Sequence, residues 1–388
     1  MNPPTAKSDG SAGDDRPVTM ADVARLAGVS PATVSRCLNG GKVSPRITEA
    51  VNRAIAQLGY RPNLVARGLR KQVSNVWACV ISDIENQFFT AMVRGVEDVA
   101  REVHHSVVLC NTDEDIEREA EYLRLIVSQR MAGVIISATR NDTDISALTR
   151  TGVQVVSVDR QMTEPTDTVL VDSHDGAQAA TAHLIAKGCR RIACITGPRD
   201  TTTGEERLRG YRAALRAAGF PVNPDLERHC DFKEAGAFAA ALELLAQPHR
   251  PDGFFVANNQ MTLGVLRALA AKNVTVPTET AVAGFDDLPW WSMTRPSITA
   301  VAQPAYEMGR AAGQMLAERI GGYEGPPRSQ YFEARLIERQ SSCLGTRPNC
   351  SEASCPGDHS SADRCADSAG RSIPTQFEGR DTYARTDP

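Results

Sequence analysis

The sequence predicts an α/β protein in which a small helical head precedes two doubly wound subdomains with parallel sheets. Residues 18–62 contain three helix-start signals in close succession, and the following residues alternate β-rich runs with helical stretches. The predicted strands lack polar–apolar alternation, which is typical of parallel sheets buried on both faces, and 388 residues accommodate two such sheets. The predicted strands are Val76–Ile81, Ser106–Cys110, Gly133–Ile136, Val153–Val158, Val169–Val171, Arg191–Ile195, Gly253–Val256 and Ala281–Phe285.

The head is predicted to consist of three short helices. Thr19 precedes Asp22 by three residues, as in a capping box, and Gly28 provides a tight turn before a second helix, Pro31–Leu38. A third helix is predicted within residues 44–59. The predicted buried side chains are Val23, Ala24, Leu26, Ala27, Val34, Leu38, Ile47, Val51, Ile55 and Leu58. This order of elements predicts a helix-turn-helix whose second helix reads a DNA major groove.

The charge distribution agrees with a polyanionic partner for the head alone. Between Val18 and Lys71 the chain has nine Lys or Arg and two acidic residues, a net charge of +7. The whole chain has a net charge of −4, so the remainder has −11. A basic head on an acidic body is suited to nucleic acid, although a solvated basic face would give the same count.

Three motifs in this region are long and ordered. They are MADVARLAGVSPATVSRCLN at residues 20–39, LGYRPN at residues 58–63 and ARGLR at residues 66–70. They resemble the head of the lactose/galactose repressor family (LacI/GalR) of bacterial transcription regulators. The resemblance implies a repressor of carbohydrate-catabolism genes that binds a palindromic double-stranded operator as a homodimer, with a tetramer as the alternative.

The same resemblance assigns DNA contacts residue by residue. Arg36 would reach a base edge, because an arginine fork matches O6 and N7 of guanine. Pro31 and Ala32 occupy the positions with which the family selects operators, and there they could contact a thymine methyl group. The other contacts would go to phosphates, which fix the register. The assigned residues are Thr19, Ser30, Pro31, Ala32, Thr33, Ser35, Arg36, Asn39, Asn63, Arg67 and Leu69.

Residues 63–71 form a marginal helical segment. An isolated helix needs about 12–15 residues in water, and Gly68 in the middle costs about 1 kcal/mol relative to alanine. The resemblance implies a hinge helix that folds on operator DNA and inserts Leu69 into the minor groove beside its twin from the second protomer. A linker whose leucine packs on the body is the alternative interpretation.

Motifs in the body resemble the same family and, through it, the periplasmic sugar-binding fold (type I). They are ENQFF (85–89), DSHDGA (172–177), HLIAKGCRRIA (183–193), GP (197–198), RLRGY (207–211), VANNQ (256–260), GFDDLP (284–289) and ITAVAQP (298–304). The resemblance covers about residues 18–340 and implies an effector pocket beyond the carboxyl ends of the strands. The pocket residues it assigns are Phe88, Phe89, Asp159, Thr203, Arg207, Phe232, Asn258, Asp286 and, at the rim, Trp290.

These residue types fit a polyhydroxylated ligand. Carboxylates and amides hold hydroxyls in pairs, an arginine supplies a fixed fork, and aromatic rings stack on a sugar face. The expected effector is a sugar, a sugar acid or a related metabolite, whereas a role in packing is the alternative for each aromatic residue. The sequence does not indicate whether the effector releases or strengthens DNA binding.

The expected domain organisation has five parts. They are a disordered tail (1–17), the helix-turn-helix domain (18–62), the hinge (63–75), the core (76–340) and a second disordered tail (341–388). In the core, residues 76–172 with 302–325 would form one subdomain and 173–301 with 326–340 the other. The second tail contains Cys343, Cys350, Cys355, His359 and Cys365, but no CxxC pair, so no metal site is expected.

Two other classes of function are less well supported. A transport module would have a signal peptide and no basic head. An enzyme with the same two-sheet fold would need an acid–base pair, and Asp159 with Asp286 is the only candidate, a weak one. No phosphate-binding loop or dinucleotide fingerprint occurs, so no cofactor is expected. Without an apolar leader or a membrane span, and with singly placed cysteines, the protein is expected in the cytoplasm, associated with the nucleoid.

Overall fold

The computed structural model describes residues 18–38, 42–60 and 74–343. The head contains α1 (Met20–Ala27), α2 (Pro31–Leu38) and α3 (Pro45–Leu58). Val23, Val34 and Val51 are fully buried where the three helices meet. The prediction that Leu26 is buried is wrong. Its side chain is 46% exposed, because α1 turns the neighbouring positions 23, 24 and 27 toward the other two helices.

The predicted capping box of α1 is present. The amide of Thr19 donates to Oδ2 of Asp22 at 3.0 Å, and the amide of Asp22 donates to the Thr19 hydroxyl at 3.4 Å. Ser44 stands at the same position of α3, but its side chain makes no capping hydrogen bond. The two helix starts are therefore a matched pair that differ in side-chain capping.

We expect Thr19→Ala to destabilise α1 by about 0.5–2 kcal/mol, because the amide of Asp22 loses its side-chain acceptor. In the full-length protein, hydrogen exchange of the amides of residues 20–27 should accelerate by about 2- to 30-fold. Ser44→Ala is the control and should leave the exchange of α3 nearly unchanged. Equal effects of the two substitutions would contradict the assigned cap.

The body contains twelve strands within residues 74–343. They are β1 (Val76–Ile81), β2 (Ser106–Asn111), β3 (Gly133–Ile136), β4 (Gln154–Val158), β5 (Asp167–Val171), β6 (Ile192–Thr196), β7 (Glu227–His229), β8 (Gly253–Val256), β9 (Ala281–Phe285), β10 (Thr299–Ala302), β11 (Ser329–Phe332) and β12 (Arg335–Ile337). The helices of the body are α4 (Gln87–Glu102), α5 (Ile116–Ser128), α6 (Ser146–Arg150), α7 (Ser173–Ala186), α8 (Thr202–Ala217), α9 (Glu234–Leu245), α10 (Asn259–Ala271) and α11 (Ala305–Ile320).

The strands form two six-stranded sheets, as the fold prediction requires. The first sheet has the order β11-β5-β4-β3-β1-β2, and all its pairings are parallel. The second has the order β12-β10-β9-β8-β6-β7 and is parallel except for β12, which runs antiparallel to β10. Helices cover both faces of each sheet, which explains why the central strands are apolar along their whole length.

Close helix contacts set the packing of the first subdomain. Helices α4 and α11 cover one face of the first sheet together, and they approach each other at Gly95 and Gly309. A Cβ atom on Gly309 would overlap the carbonyl of Met92, and one on Gly95 would overlap the carbonyl of Tyr306. Only glycine permits this backbone approach, which fixes α4 and therefore the aromatic residues at its start.

The chain crosses between the sheets after β5, after β10 and after β11. The prediction that residues 326–340 belong to the second subdomain is wrong for Ser329–Phe332, which pairs with β5 in the first sheet. The predicted start of the second tail, residue 341, is also too early. Ser341 and Ser342 are buried, and the Ser341 hydroxyl donates to the carbonyl of Val282. Both errors arise because these segments are polar and lack an apolar run.

Several predictions fall on residues that the structure does not describe. They concern Asn39, Asn63, Arg67, Leu69, the hinge segment up to residue 73, the tail 1–17 and the tail from residue 344 onward, including its cysteines and His359. None of the helices in the described ranges has the length and apolar character needed to span a membrane.

Candidate functional site

Helix α2 presents a small, partly apolar surface that contains one arginine. Pro31, Ala32 and Arg36 are exposed, and Val34 faces the core of the head. Ser30 caps the helix, since its hydroxyl accepts from the amide of Thr33 at 3.2 Å. Within the described part of the chain, the Arg36 guanidinium has no ion pair. The predicted base-reading side chain is thus available to a partner outside the head.

A narrow central cleft lies between the two subdomains. Its walls come from residues that follow the carboxyl ends of strands in both sheets, where open α/β sheets bind ligands. Eight of the nine predicted pocket residues line it: Phe88, Phe89, Asp159, Thr203, Arg207, Phe232, Asn258 and Asp286. Trp290 is not part of this lining. It packs against Trp291, with the ring centroids 4.2 Å apart.

Arg207 is the most constrained side chain of the central cleft. It is 3% exposed, and its guanidinium lies over the ring of Phe285 at 3.8 Å. Nη1 donates to the carbonyl of Ala257 at 2.6 Å, and Nε donates to the hydroxyl of Ser173 at 3.3 Å. Nη2 makes no hydrogen bond to a described residue. Burial lowers the pKa of Arg207, while Asp286 opposes this shift. The protein therefore holds Nε and Nη1 of the guanidinium, and Nη2 is left to bind a ligand.

Two buried carboxylates accompany Arg207. Burial raises the pKa of both Asp159 and Asp286 against the opposing effect of the nearby arginines. Both residues follow strands with left-handed backbone conformations, at φ 63° and 69°, which are uncommon for residues other than glycine. Asp286 accepts from the side chain of Gln303 and from the amide of Asn259. Strained backbone of this kind is concentrated at binding sites, where it sets the direction of a side chain.

Several buried polar atoms near the central cleft lack hydrogen-bond partners in the described residues, and three of them are side-chain oxygens. They are Oγ1 of Thr203, Oε1 of Gln303 and Oδ1 of Asn259. Thr203 and Gln303 line the cleft. Leaving a buried polar atom without a partner costs about 1–3 kcal/mol, and native proteins therefore contain few such atoms. Hydroxyl groups of a ligand in the cleft would satisfy those of Thr203 and Gln303.

Aromatic rings close the central cleft from both subdomains. Phe88 and Phe89 at the start of α4 pack edge to face, with centroids 5.1 Å apart. Phe232 enters from the second subdomain with a left-handed backbone, φ 63°, and its ring lies directly against Gly197. A Cβ atom at position 197 would overlap this ring. The glycine that the sequence places after β6 therefore makes space for an aromatic wall.

Polar contacts also join the subdomains across the central cleft. Nζ of Lys233 in the second subdomain donates to Asp83 at 2.8 Å and to Asp113 at 2.5 Å in the first. We call these three residues the Lys233 clamp. The side-chain nitrogen Nδ2 of Asn259 also donates across the cleft, to Oδ1 of Asn86 at 2.8 Å. The described conformation is thus a closed one, held by contacts between the subdomains.

Six residues that line the central cleft were not predicted as site residues: Asp83, Asn86, Glu114, Arg160, Lys233 and Gln303. Arg160 is 2% exposed, forms a two-pronged ion pair with Glu114 and lies 5.2 Å from the ring centroid of Phe232. The signal available for Asp83 and Arg160 was a charged residue two positions after the end of a strand. The pairing of Arg160 with Glu114 joins distant loops, and no local pattern indicates it.

The sequence has two family matches. The profile described as bacterial regulatory proteins, lacI family, matches residues 19–63, and that of a periplasmic binding protein-like domain matches residues 181–342. The ribose operon repressor of Escherichia coli (strain K12) is 38% identical over 306 residues, which cover 78% of this chain and 93% of the relative. The chain belongs to the lacI family.

Solved structures of the lacI family agree with both parts of the fold. The complex of the transcriptional regulator CelR with cellobiose is 36% identical, has a TM-score of 0.65 and covers 84% of this chain and 100% of that one. A lac repressor dimer bound to operator and the anti-inducer ONPF is 27% identical, has a TM-score of 0.74 and covers 84% of this chain and 99% of that one.

Membership of the lacI family gives the protein its biochemical class. The chain is a DNA-binding transcription regulator and not an enzyme. The prediction that the protein is not an enzyme is therefore confirmed, and the alternative that would have used Asp159 and Asp286 as an acid–base pair is dropped. Among the residues that the structure describes, no group of three or more His, Cys, Asp or Glu side chains is arranged to hold a metal ion.

Proposed function

We propose that the protein represses carbohydrate-catabolism genes by binding a palindromic operator as a dimer, and that a sugar in the central cleft switches this binding. Helix α2 would read the major groove of each half-site, with residues 63–71 in the minor groove between them. Operator DNA places the protein in the cytoplasm, on the nucleoid. The proposed domains are the head (18–62), the hinge (63–75) and a core that extends to residue 343.

The arrangement of Arg207 between Asp159 and Asp286 is the observation that carries the proposal. Adjacent hydroxyl groups of a ligand could bind to several groups here. They are the free Nη2 of the guanidinium, the two carboxylates and the polar oxygens that lack a hydrogen-bond partner. The phenylalanines supply faces for the apolar side of a sugar ring. Binding partners named for similar structures include cellobiose and ribose, which supports a sugar as the effector class.

The position of the central cleft explains how a ligand would control DNA binding. Its walls belong to both subdomains, so any molecule that bridges Arg207 and the phenylalanines of α4 favours the closed arrangement. The three chain crossings allow one subdomain to rotate against the other. In a dimer, such rotation would change the separation of the two first subdomains, and with it the spacing at which the two heads meet the half-sites.

We expect Lys233→Met to shift the sugar-free protein toward an open arrangement, because Asp83 and Asp113 lose their shared cation. The partly exposed ion pairs of Lys233 together stabilise the closed arrangement by about 1 kcal/mol, so their loss changes the ratio of closed to open molecules about fivefold. Small-angle scattering should show a larger radius of gyration than for the wild type. Lys272→Met, which removes an exposed lysine from the same subdomain, should leave the radius unchanged. An unchanged radius in Lys233→Met would contradict the clamp.

A thermal-shift screen of the full-length protein tests the proposed effector class. The panel would contain neutral sugars, sugar acids and purines. A ligand at 100 times its Kd stabilises the folded state by about 2.7 kcal/mol, which corresponds to a shift of about 5–10 °C for a domain of this size. We expect a neutral sugar to give this shift. A shift with purines alone would overturn the assignment to sugars.

A further inference from the structure

Helix α8 receives its amino-terminal cap from the other subdomain. Thr201 occupies the capping position, but within the described part of the chain its hydroxyl donates to the carbonyl of Pro198 at 2.9 Å and caps no amide of α8. The first four amides of an α-helix lack a partner within the helix, so an acceptor from elsewhere stabilises its start. Thr203 and Arg207 lie on the first two turns of α8 and line the central cleft. The placement of these turns therefore sets where both side chains meet a ligand.

Asn141 in the first subdomain supplies the acceptor. Its Oδ1, in the loop after β3, accepts from the amide of Thr202 at 3.0 Å. The amide of Asn141 donates to the carbonyl of Asp200 at 3.2 Å, and the side chains of Arg140 and Asp200 form an ion pair at 3.2 Å. The loop after β4 adds a fourth contact, since the amide of Gln161 donates to the Thr202 hydroxyl at 3.0 Å. We call these four contacts the α8 latch.

Contacts within the first subdomain hold the Asn141 loop in place. Glu119 on α5 is 2% exposed, and its carboxylate accepts from the amide of Thr139 at 2.6 Å and from the hydroxyl of Thr143 at 2.7 Å. The carbonyl of Asn141 accepts from the amide of Thr163 at 2.7 Å. The acceptor is therefore held by one subdomain, whereas the amide that it caps belongs to the other.

We propose that Asn141 is a positioning residue for effector binding, because it caps α8 only when the two subdomains are closed. When the central cleft opens, the amide of Thr202 loses its acceptor, and the first turn of α8, which carries Thr203, becomes less stable. Closure around a ligand therefore forms the cap in addition to the contacts of the ligand itself. Asn141 is not among the described residues that line the cleft. The inference rests on the proposed function of the central cleft as an effector site.

Hydrogen exchange of the full-length, sugar-free protein tests the cap. The amide of Gln161 is the reporter, because it donates across the cleft and its hydrogen bond does not involve Asn141. Asn141→Ala should accelerate the exchange of this amide about 2- to 30-fold, the range expected when a helix cap is lost. Asn141→Asp should exchange like the wild type, because a carboxylate caps a helix as well as a carboxamide does.

Sugar affinity shows whether the cap acts on the cleft. The probes are ribose and cellobiose, which are named as ligands of similar structures. In calorimetric titration, Asn141→Ala should bind the sugar about 2- to 30-fold more weakly than the wild type, because fewer molecules are in the closed arrangement that binds it. Asn141→Asp should bind within about twofold of the wild type.

Asn223→Ala is the matched control. Asn223 also caps a helix, the short Pro224–Leu226, but it does so within the second subdomain, where its side chain accepts from the amide of Asp225 at 3.0 Å. Its replacement should change neither the exchange of Gln161 nor the sugar affinity. Asn141 is half-buried in a loop, so its variants are expected to fold, which circular dichroism checks.

The possible results separate this inference from the proposal on which it rests. If the Gln161 amide of Asn141→Ala exchanges like that of the wild type, or if Asn141→Asp exchanges as fast as Asn141→Ala, the cap is wrong. If exchange accelerates but Asn141→Ala binds the sugar like the wild type, the cap does not act on the cleft and the inference is wrong. If neither sugar binds the wild type while exchange accelerates as expected, the cap stands and the choice of sugar fails.

Discussion

Replacement of Arg207 by alanine is expected to lower the affinity for the effector sugar by about 100-fold. A hydrogen bond from a charged donor contributes about 1.5–3 kcal/mol, and Nη2 of Arg207 is held for this purpose by the contacts of Nη1, Nε and the ring of Phe285. The loss also removes the cation that accompanies Asp159 and Asp286. Titration calorimetry with the sugar identified by thermal shift measures the affinity.

Arg216→Ala provides a control on the same helix. Arg216 lies in the last turn of α8, and its side chain is exposed. Its replacement should change sugar affinity less than twofold. If Arg207→Ala bound the sugar like the wild type while remaining folded by circular dichroism, the central cleft would not be the effector site.

Replacement of Arg36 by alanine is expected to abolish selective operator binding. A two-pronged contact to guanine contributes about 1–3 kcal/mol, so two half-sites lose about 2–6 kcal/mol, a fall of at least about 30-fold in specific affinity. Binding to random duplex should fall much less, because phosphate contacts supply that affinity. Fluorescence anisotropy on an operator selected from random palindromes and on a scrambled duplex measures both quantities.

Arg53→Ala is the matched control for charge. Arg53 is on α3 with a 75% exposed side chain, so its removal subtracts one positive charge from the head without touching the face of α2. It should weaken both duplexes to a similar, small extent. Equal losses on the two duplexes for Arg36→Ala would show that Arg36 contacts phosphate and not a base.

The interior strands other than β10, together with the edge strand β2, could be predicted from the sequence, whereas the other edge strands could not. Strands β8 and β9 have the predicted bounds, because strands buried on both faces consist of continuous apolar residues. Strands β7, β11 and β12 lie at sheet edges, are only three or four residues long and lack a continuous apolar run of that length. Their pairing depends on where the chain returns after a long helix, and local composition does not contain that information.

The residues of the central cleft likewise divide into those that could be predicted from the sequence and those that could not. The side chains that follow strands, such as Asp159 and Asp286, could be assigned through the family motifs and do lie together. Lys233 could not be assigned, since its partners Asp83 and Asp113 are in the other subdomain, far away along the chain. Trp290 was assigned to the rim by position, but it packs against Trp291 in a separate apolar cluster. Contacts that need the closed tertiary structure were inaccessible to sequence patterns.

The central claim is that one chain couples a sugar in the central cleft to operator binding by α2. Thermodynamic linkage requires that operator DNA change the sugar affinity by the same factor by which the sugar changes operator affinity. The most direct measurement is therefore the sugar affinity of the free dimer and of the operator-bound dimer. We expect the two affinities to differ by about 5- to 150-fold, the usual range for allosteric coupling. Equal affinities in the two states would contradict the claim.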